Sequence, residues 1–319
     1  MHTDPKVIAT GLKFPEGPIA LDDGSILIVE IARGTLSRIL PDGTISVVAE
    51  TGGGPNGAAI GPDGYCYICN NGGFEWIERN GKIFPGNQAS DYQGGSIQRV
   101  NITTGAVETL YTHAGDTQLR GPNDIVFDQT GGFWFTDHGK NRERDRDRTG
   151  VFYAQADGSS CEEIIFPLEA PNGIGLSPKE DELYVAETPT GRLWAFPLSA
   201  PGQLANSAND RPDGGRLIKG RSGYFLFDSL AIDSLGRICI ATLIDGGVTI
   251  LDPTSERIDF IPMPDRLTTN ICFGGDQLKT AYVTLSSSGQ LVSIPWNCPG
   301  LPLNFLNKRL FKNSEFILA

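Results

Sequence analysis

Six stretches of this chain repeat one pattern, and no other feature of the sequence limits the fold as strongly. They are PEGPIALDDGSILIVE from Pro15, PNGAAIGPDGYCYICN from Pro55, PNDIVFDQTGGFWFTD from Pro122, PNGIGLSPKEDELYVAE from Pro171, FDSLAIDSLGRICIAT from Phe227 and TNICFGGDQLKTAYVT from Thr269. Each reads as a short strand, a glycine-containing turn and a second strand, which is a hairpin. A glycine-led third strand follows every time, beginning at Gly34, Gly95, Gly150, Gly191, Gly246 and Gly289. Fourth strands are expected at ISVVAE, AVETLYT, EEIIFP, GRLIKG and IDFIPM. The last repeat has no fourth strand of its own, and the N-terminal VIATGL is placed to supply it. Such pairing closes the units into a ring and removes exposed sheet edges. The expected fold is therefore all-β: a six-bladed β-propeller of four-stranded antiparallel blades, closed by the N-terminal strand. Length alone suggests two domains for 319 residues. The repeat makes residues 1–298 one domain and leaves 299–319 as a tail. The 40 glycines and 21 prolines are then largely turn punctuation.

The second residue of each segment is Glu16, Asn56, Asn123, Asn172, Asp228 and Asn270. From there to the polar residue ending the second strand the spacing is 14 in five repeats (Glu30, Asn70, Asp137, Thr242 and Thr284) and 15 in the fourth, at Glu187. Equal spacing puts equivalent residues at equivalent places, so the first set is expected to ring the central channel at one mouth. Asn and Asp also start strands simply because they bond local backbone. Two carboxylates facing one axis, however, repel each other unless positive charge lies between them. Two carboxylates plus amide oxygens are hard ligands, suited to one divalent ion. Ca²⁺ is favoured, Mg²⁺ or Mn²⁺ are alternatives, and Zn²⁺ is less natural because no Cys or His joins the ring.

Charge narrows the partners. With 26 basic against 38 acidic residues the net charge is −12, so nucleic acid and anionic membranes would be repelled. No apolar run is long enough to span a bilayer, and MHTDPKVIATGLKF lacks the apolar stretch of a secretory signal, so a cytoplasmic location is expected. Cys66 and Cys69 have C-x-x-C spacing but sit on an alternating strand, facing opposite ways. They and the other four cysteines are read as structural thiols.

The sequence resembles the senescence-marker/gluconolactonase/luciferin-regenerating-enzyme family of six-bladed propellers. The motifs that carry the likeness are FPEGP at 14–18, GPNDIVFDQTGGFWFTD at 121–137, APNGIGLSP at 170–178 followed by LYVAET, and FDSLAID at 227–233. The resemblance implies one divalent metal on the axis, held by Glu16, Asn172 and Asp228, with Asn123 as a fourth ligand or a substrate contact. It also implies that Arg120 binds substrate as a forked donor. Where many members read P-D-G, this chain has Phe227-Asp228-Ser229, which keeps the carboxylate and changes the pocket wall.

The expected activity is hydrolysis of a lactone, with the metal polarising the carbonyl and Asp228 as general base. Asn123 shares the catalytic assignment, while Arg120, Asn123, Asn56 and His138 are the candidate substrate contacts. A small-molecule substrate and a monomer or small homo-oligomer are expected. Alternatives are an organophosphate or aryl esterase on the same site, or a non-enzymatic interaction scaffold. Asp137 and Glu187 are expected to orient neighbours or to bond structurally. Two insertions, between Asn71 and Gly94 and between His138 and Gly150, leave from the same strand ends and are expected to overhang the mouth as a lid. The first, with Phe74, Trp76 and Tyr92, makes an aromatic-tolerant pocket; the second, GKNRERDRDRT, also reads as a solvated charge run. The tail carries a basic cluster, Lys308, Arg309 and Lys312, and is expected to pack under the propeller or mediate oligomerisation.

Overall fold

The computed structural model describes residues 4–206, 211–220, 223–255 and 257–308. Each repeat becomes one antiparallel sheet in simple up-and-down order. Blade 1 comprises Pro15–Ala20, Ile26–Glu30, Thr35–Ile39 and Ile45–Glu50; blade 2 comprises Pro55–Ile60, Cys66–Asn70, Ser96–Val100 and Val107–Tyr111. Blade 3 is Pro122–Phe127, Gly132–Asp137, Thr149–Gln155 and Cys161–Leu168. Blade 4 is Pro171–Leu176, Glu182–Glu187, Arg192–Ala200 and Arg216–Gly220, with the short strand Gln203–Leu204 added to its third member. Blade 5 is Leu226–Ile232, Ile238–Leu243, Gly247–Leu251 and Ile258–Pro262. Blade 6 is Thr268–Gly274, Thr280–Leu285 and Gln290–Pro295, and its outer strand is Lys6–Thr10, with Val7 opposite Val292. The expected closure is thus the observed one. Among the described residues the only helical element is one short 3₁₀ turn, Asp276–Leu278, and no helix is long and apolar enough to cross a membrane.

Burial follows from the ring. The two inner strands of blade 1 are buried along their whole length, whereas its outer strand alternates toward solvent. Between blades the core is apolar and largely aromatic. Tyr67, Phe127, Phe133, Phe135 and Phe152 form one such layer, in which Phe135 stacks on Phe152 at 5.1 Å. Cys66 packs in the layer with Val29 and Ile68, and Cys69 in the layer with Phe133. The two thiols therefore face opposite sides, as the alternation requires, and burial pushes the Cys66 thiol up to about 12.

The tail closes the other end of the channel. Leu301 N donates to Ile232 O at 2.9 Å, and Asn304 Nδ2 donates to Phe127 O at 3.0 Å and to Glu180 Oε1 at 2.8 Å. Phe305 lies edge-on to Phe127 at 5.9 Å, and Lys308 pairs with Glu180 at 3.1 Å. Arg309 and Lys312 of the basic cluster lie outside the described residues. Between tail and polar ring remains a mainly apolar cavity of about 190 Å³, walled by residues such as Ile19, Ile125, Ile174 and Leu230.

Candidate functional site

Every inner strand begins with an irregularity in its pairing. In blade 1, Pro15 lies opposite Glu30 and Glu16 opposite Val29, yet Ile19 is already opposite Leu27. The same shift falls between Pro55 and Ala58, Pro122 and Ile125, Pro171 and Ile174, Phe227 and Leu230, and Thr268 and Asn270. A bulge bends a strand and re-aims the side chains beside it. Here it falls on the residues of the polar ring, all six of which are buried. Glycine makes the arrangement compact: a Cβ on Gly57 would stand 2.4 Å from Asn123 O, and one on Gly173 2.6 Å from Asp228 O. Neighbouring inner strands can approach so closely only where a side chain is missing.

The ring is crowded with negative charge. Glu16 Oε2 accepts Asn270 Nδ2 at 2.8 Å and the Gly17 N–H at 3.0 Å. Burial nevertheless holds its carboxyl up at about 7. Asp228 is held well above the usual carboxylate range, first by burial and then by the charge of Glu16. Asp124, the residue after Asn123, is lifted to about 7 by burial, with Glu16 adding to the effect. Two amide oxygens, Asn123 Oδ1 and Asn172 Oδ1, are buried without any hydrogen-bond donor. Buried acceptors are normally satisfied, and buried carboxylates are normally compensated. A hard cation would answer both deficits, and oxygen is the donor such ions take. Among the described residues no group of three or more His, Cys, Asp or Glu side chains is placed to hold an ion. Any cation here therefore draws on amide oxygens as well as carboxylates.

Asp124 was not among the residues singled out by sequence. Its signal was available: the residue after each ring position reads Gly17, Gly57, Asp124, Gly173, Ser229 and Ile271, so one carboxylate stands where the others are small or apolar. Asn56 joins the buried ring. Asn270 is spent structurally, since its Nδ2 holds Glu16 and its Oδ1 accepts the Ile271 N–H at 2.7 Å.

The second set of polar residues has a different task. Asp137 accepts three backbone N–H groups, from Arg120 and Gly121 at 2.7 Å and Gly139 at 2.9 Å. Glu30 accepts the Lys13 N–H at 2.7 Å, Asn70 the Gly54 N–H at 2.8 Å, and Glu187 the Glu169 N–H at 2.9 Å. Each therefore pins the turn that leads into its own blade's inner strand. Structural bonding is the role of Asp137 and Glu187.

At the blade 3 edge of the mouth the Arg120 side chain is exposed, and Nη1 reaches Gln118 Oε1 at 3.3 Å. His138 is half-buried, its Nδ1 is 3.4 Å from Gly139 O, and burial depresses its imidazole to about 4. It is neutral near pH 7. The first insertion is a hairpin, Phe74–Arg79 with Lys82–Gln88. The second is mostly exposed and internally paired, Arg142 with Asp145 and with Asp147.

A channel mouth ringed by buried carboxylates and carboxamides on a six-bladed propeller defines a class of small-molecule sites. The chain belongs to the SMP-30/Gluconolactonase/LRE-like family, whose characteristic region matches residues 14–287. It is 24% identical over 317 residues to a gluconolactonase of Zymomonas mobilis, spanning 90% of this chain and 80% of that one. It is 28% identical over 246 residues to the lactonase drp35 of Staphylococcus saprophyticus, spanning 76% and 68% of the two chains. Among solved structures, a Xanthomonas campestris gluconolactonase superposes with a TM-score of 0.70 at 20% identity, covering 92% of this chain and 95% of that one. A calcium-binding regucalcin of Agrobacterium tumefaciens does so with 0.71 at 18% identity, covering 95% and 96%. These last two likenesses concern the fold.

Proposed function

We propose that the chain is a hydrolase opening lactones at the carboxylate-bearing mouth, using one divalent ion held by Glu16, Asn172, Asp228 and Asn123. The carrying observation is the pair of buried, donorless oxygens Asn123 Oδ1 and Asn172 Oδ1 beside two buried carboxylates. The lactonase relatives supply the reaction class. All four donors are oxygens, which suits Ca²⁺, Mg²⁺ or Mn²⁺ better than Zn²⁺, and Ca²⁺ is the ion we favour. When bound, such an ion supplies Lewis-acid polarisation of a carbonyl oxygen.

The chain's own residues supply the rest. Asp228 is the general base: its second carboxylate oxygen is the one to take a proton from water at the mouth. Water adds to the lactone carbonyl carbon, the ring C–O bond breaks, and the ring oxygen takes a proton to give the hydroxy acid. The Asn123 amide orients the substrate, and Arg120 presents an exposed guanidinium to a substrate hydroxyl or carboxylate. Neutral His138 offers a ring nitrogen as hydrogen-bond partner, and Asn56 completes the polar rim.

The test is turnover of an aldonolactone before and after chelation, with Asp228→Ala in parallel. Full activity in chelator, or in the variant, overturns the reading. A chain serving only as an interaction scaffold turns over no ester, and a phosphotriester assayed alongside separates the organophosphate alternative.

A further inference from the structure

The blade 2 hairpin crosses the mouth. It leaves from Asn71, at the mouth end of blade 2, and its far strand donates Ile83 N to Ser287 O at 3.1 Å in blade 6. Lys82 Nζ lies 3.6 Å from Asp265 Oδ1, just before the inner strand of that blade. On the other side Gln88 N donates to Asn141 O at 2.8 Å. From its near strand, Trp76 meets the Phe14 ring at 5.1 Å and the Phe74 ring of the same strand at 5.9 Å. Phe14 stands two residues before Glu16 in the chain. The hairpin thus lays an aromatic surface beside the polar ring.

Its root is fixed by an unusual residue. Lys140, from the blade 3 insertion, is completely buried. Its Nζ donates to Asn71 O at 3.0 Å, to Gly73 O at 2.5 Å and to Asn71 Oδ1 at 3.4 Å, and stands 3.9 Å from the centre of the Phe74 ring. Asp137 and Asp147 attract it electrostatically, and burial still draws the ammonium down to about 7. A buried ammonium held mainly by carbonyls is costly. What it secures is the Asn71–Gly73 corner, where Gly72 and Gly73 both have positive φ and a non-glycine residue would be strained.

We propose that Lys140 is a positioning residue that holds the hairpin as an aromatic roof over the mouth, and that this roof selects lactones bearing a flat apolar ring over plain sugar lactones. The second half rests on the lactonase reading; the first does not. An aromatic-ring lactone presents a face to the half-buried Trp76, which the buried Phe14 backs, for offset stacking, while a polyhydroxylated lactone has no such face.

Hydrogen exchange on the full chain tests the tether. Lys140→Met is expected to speed exchange at the Ile83 and Gln88 amides by about tenfold or more while blade strands keep their protection. Lys140→Arg, which retains charge without the three-acceptor fit, is expected to fall between; it carries the test if the methionine variant loses protection in every blade. Unchanged hairpin exchange in a folded variant overturns the tether. Kinetics with dihydrocoumarin and glucono-1,5-lactone test selection. Trp76→Ala is expected to lower the ratio of the two kcat/KM values by about tenfold, and Lys140→Met to raise KM for dihydrocoumarin more than it lowers kcat. An unaltered ratio overturns the roof's selectivity. If the wild-type chain opens neither lactone, the lactonase reading and the selectivity fall together, and exchange still decides the role of Lys140.

Discussion

Two rings of similar chemistry lie 14 or 15 residues apart in each repeat, and their contrast shows what marks a functional site. In the outer ring, Glu30, Asn70, Asp137 and Glu187 spend their oxygens on backbone N–H groups of nearby turns. In the inner ring, carboxylates of equal burial face one another, and two amide oxygens have no donor at all. Residue type and burial do not distinguish the sets. What differs is whether the protein itself satisfies them.

The contrast breaks most sharply at Asp228 and Asp137. Asp228→Ala is expected to cut kcat/KM for an aldonolactone by about 10²–10⁴-fold, the range lost with a general base, at little cost in thermal stability. Asp137→Ala is expected to behave oppositely, stranding three N–H groups and costing at least about 3 kcal/mol, since each unsatisfied buried donor costs about 1–3 kcal/mol. Urea unfolding beside a rate assay separates the two. If Asp228→Ala unfolds the chain and Asp137→Ala leaves its stability unchanged, the division of labour is wrong.

Removing a donorless oxygen should cost less. Asn172→Leu is expected to cost the chelator-treated protein only about 1 kcal/mol, because it removes the Nδ2 bond to Thr188 Oγ1 at 3.1 Å and none through Oδ1. It should abolish the rise in Tm that added Ca²⁺ gives the parent through binding to the folded state. Equal Ca²⁺ shifts in both proteins would take Asn172 out of the ligand set.

Acidity probes the inner ring directly. Glu16 is raised from 4.5 to about 7 and Asp124 from 3.8 to about 7 in the folded chain. Between those limits the folded state holds more protons than the unfolded one, so these groups make stability rise as pH falls. Chelator-treated protein is expected to melt higher at pH 5.5, between the ordinary and the folded values, than at pH 7.5, just above the folded ones. A lower Tm at the acidic end would show that the carboxylates are compensated by something else. The smallest effect is expected at His138: with its imidazole depressed to about 4, His138→Gln should leave the shape of the pH–rate profile between pH 6 and 8 unaltered.

Much of this was legible because the repeat is regular. Blade number, strand order and the six ring positions all follow from spacing, and so does closure by the first strand. The bulges were not legible, because a register shift depends on how two strands meet and leaves no fixed residue type behind. Asp124 was overlooked for a related reason: Asn-Asp after proline reads as an ordinary strand start, and only three-dimensional crowding gives the second residue its charge environment. Lys140 shows tertiary structure overriding local character. It opens a run of alternating charges that reads as solvated, and most of that run is exposed, yet the packing of a hairpin some 70 residues earlier buries its one lysine.

The pairing of Lys6–Thr10 with Gln290–Pro295 has a kinetic consequence. Within blades 1 to 5 neighbouring strands are close in sequence, so those sheets can form from local contacts. Blade 6 must instead bring together segments nearly the whole described chain apart, and such non-local contacts form slowly. Until they do, Lys6–Thr10 has no partner and the outer edge of Gln290–Pro295 lies open. That seam is the natural place for the ring to open first and to close last, and during synthesis a folding chain must hold five blades together while it waits.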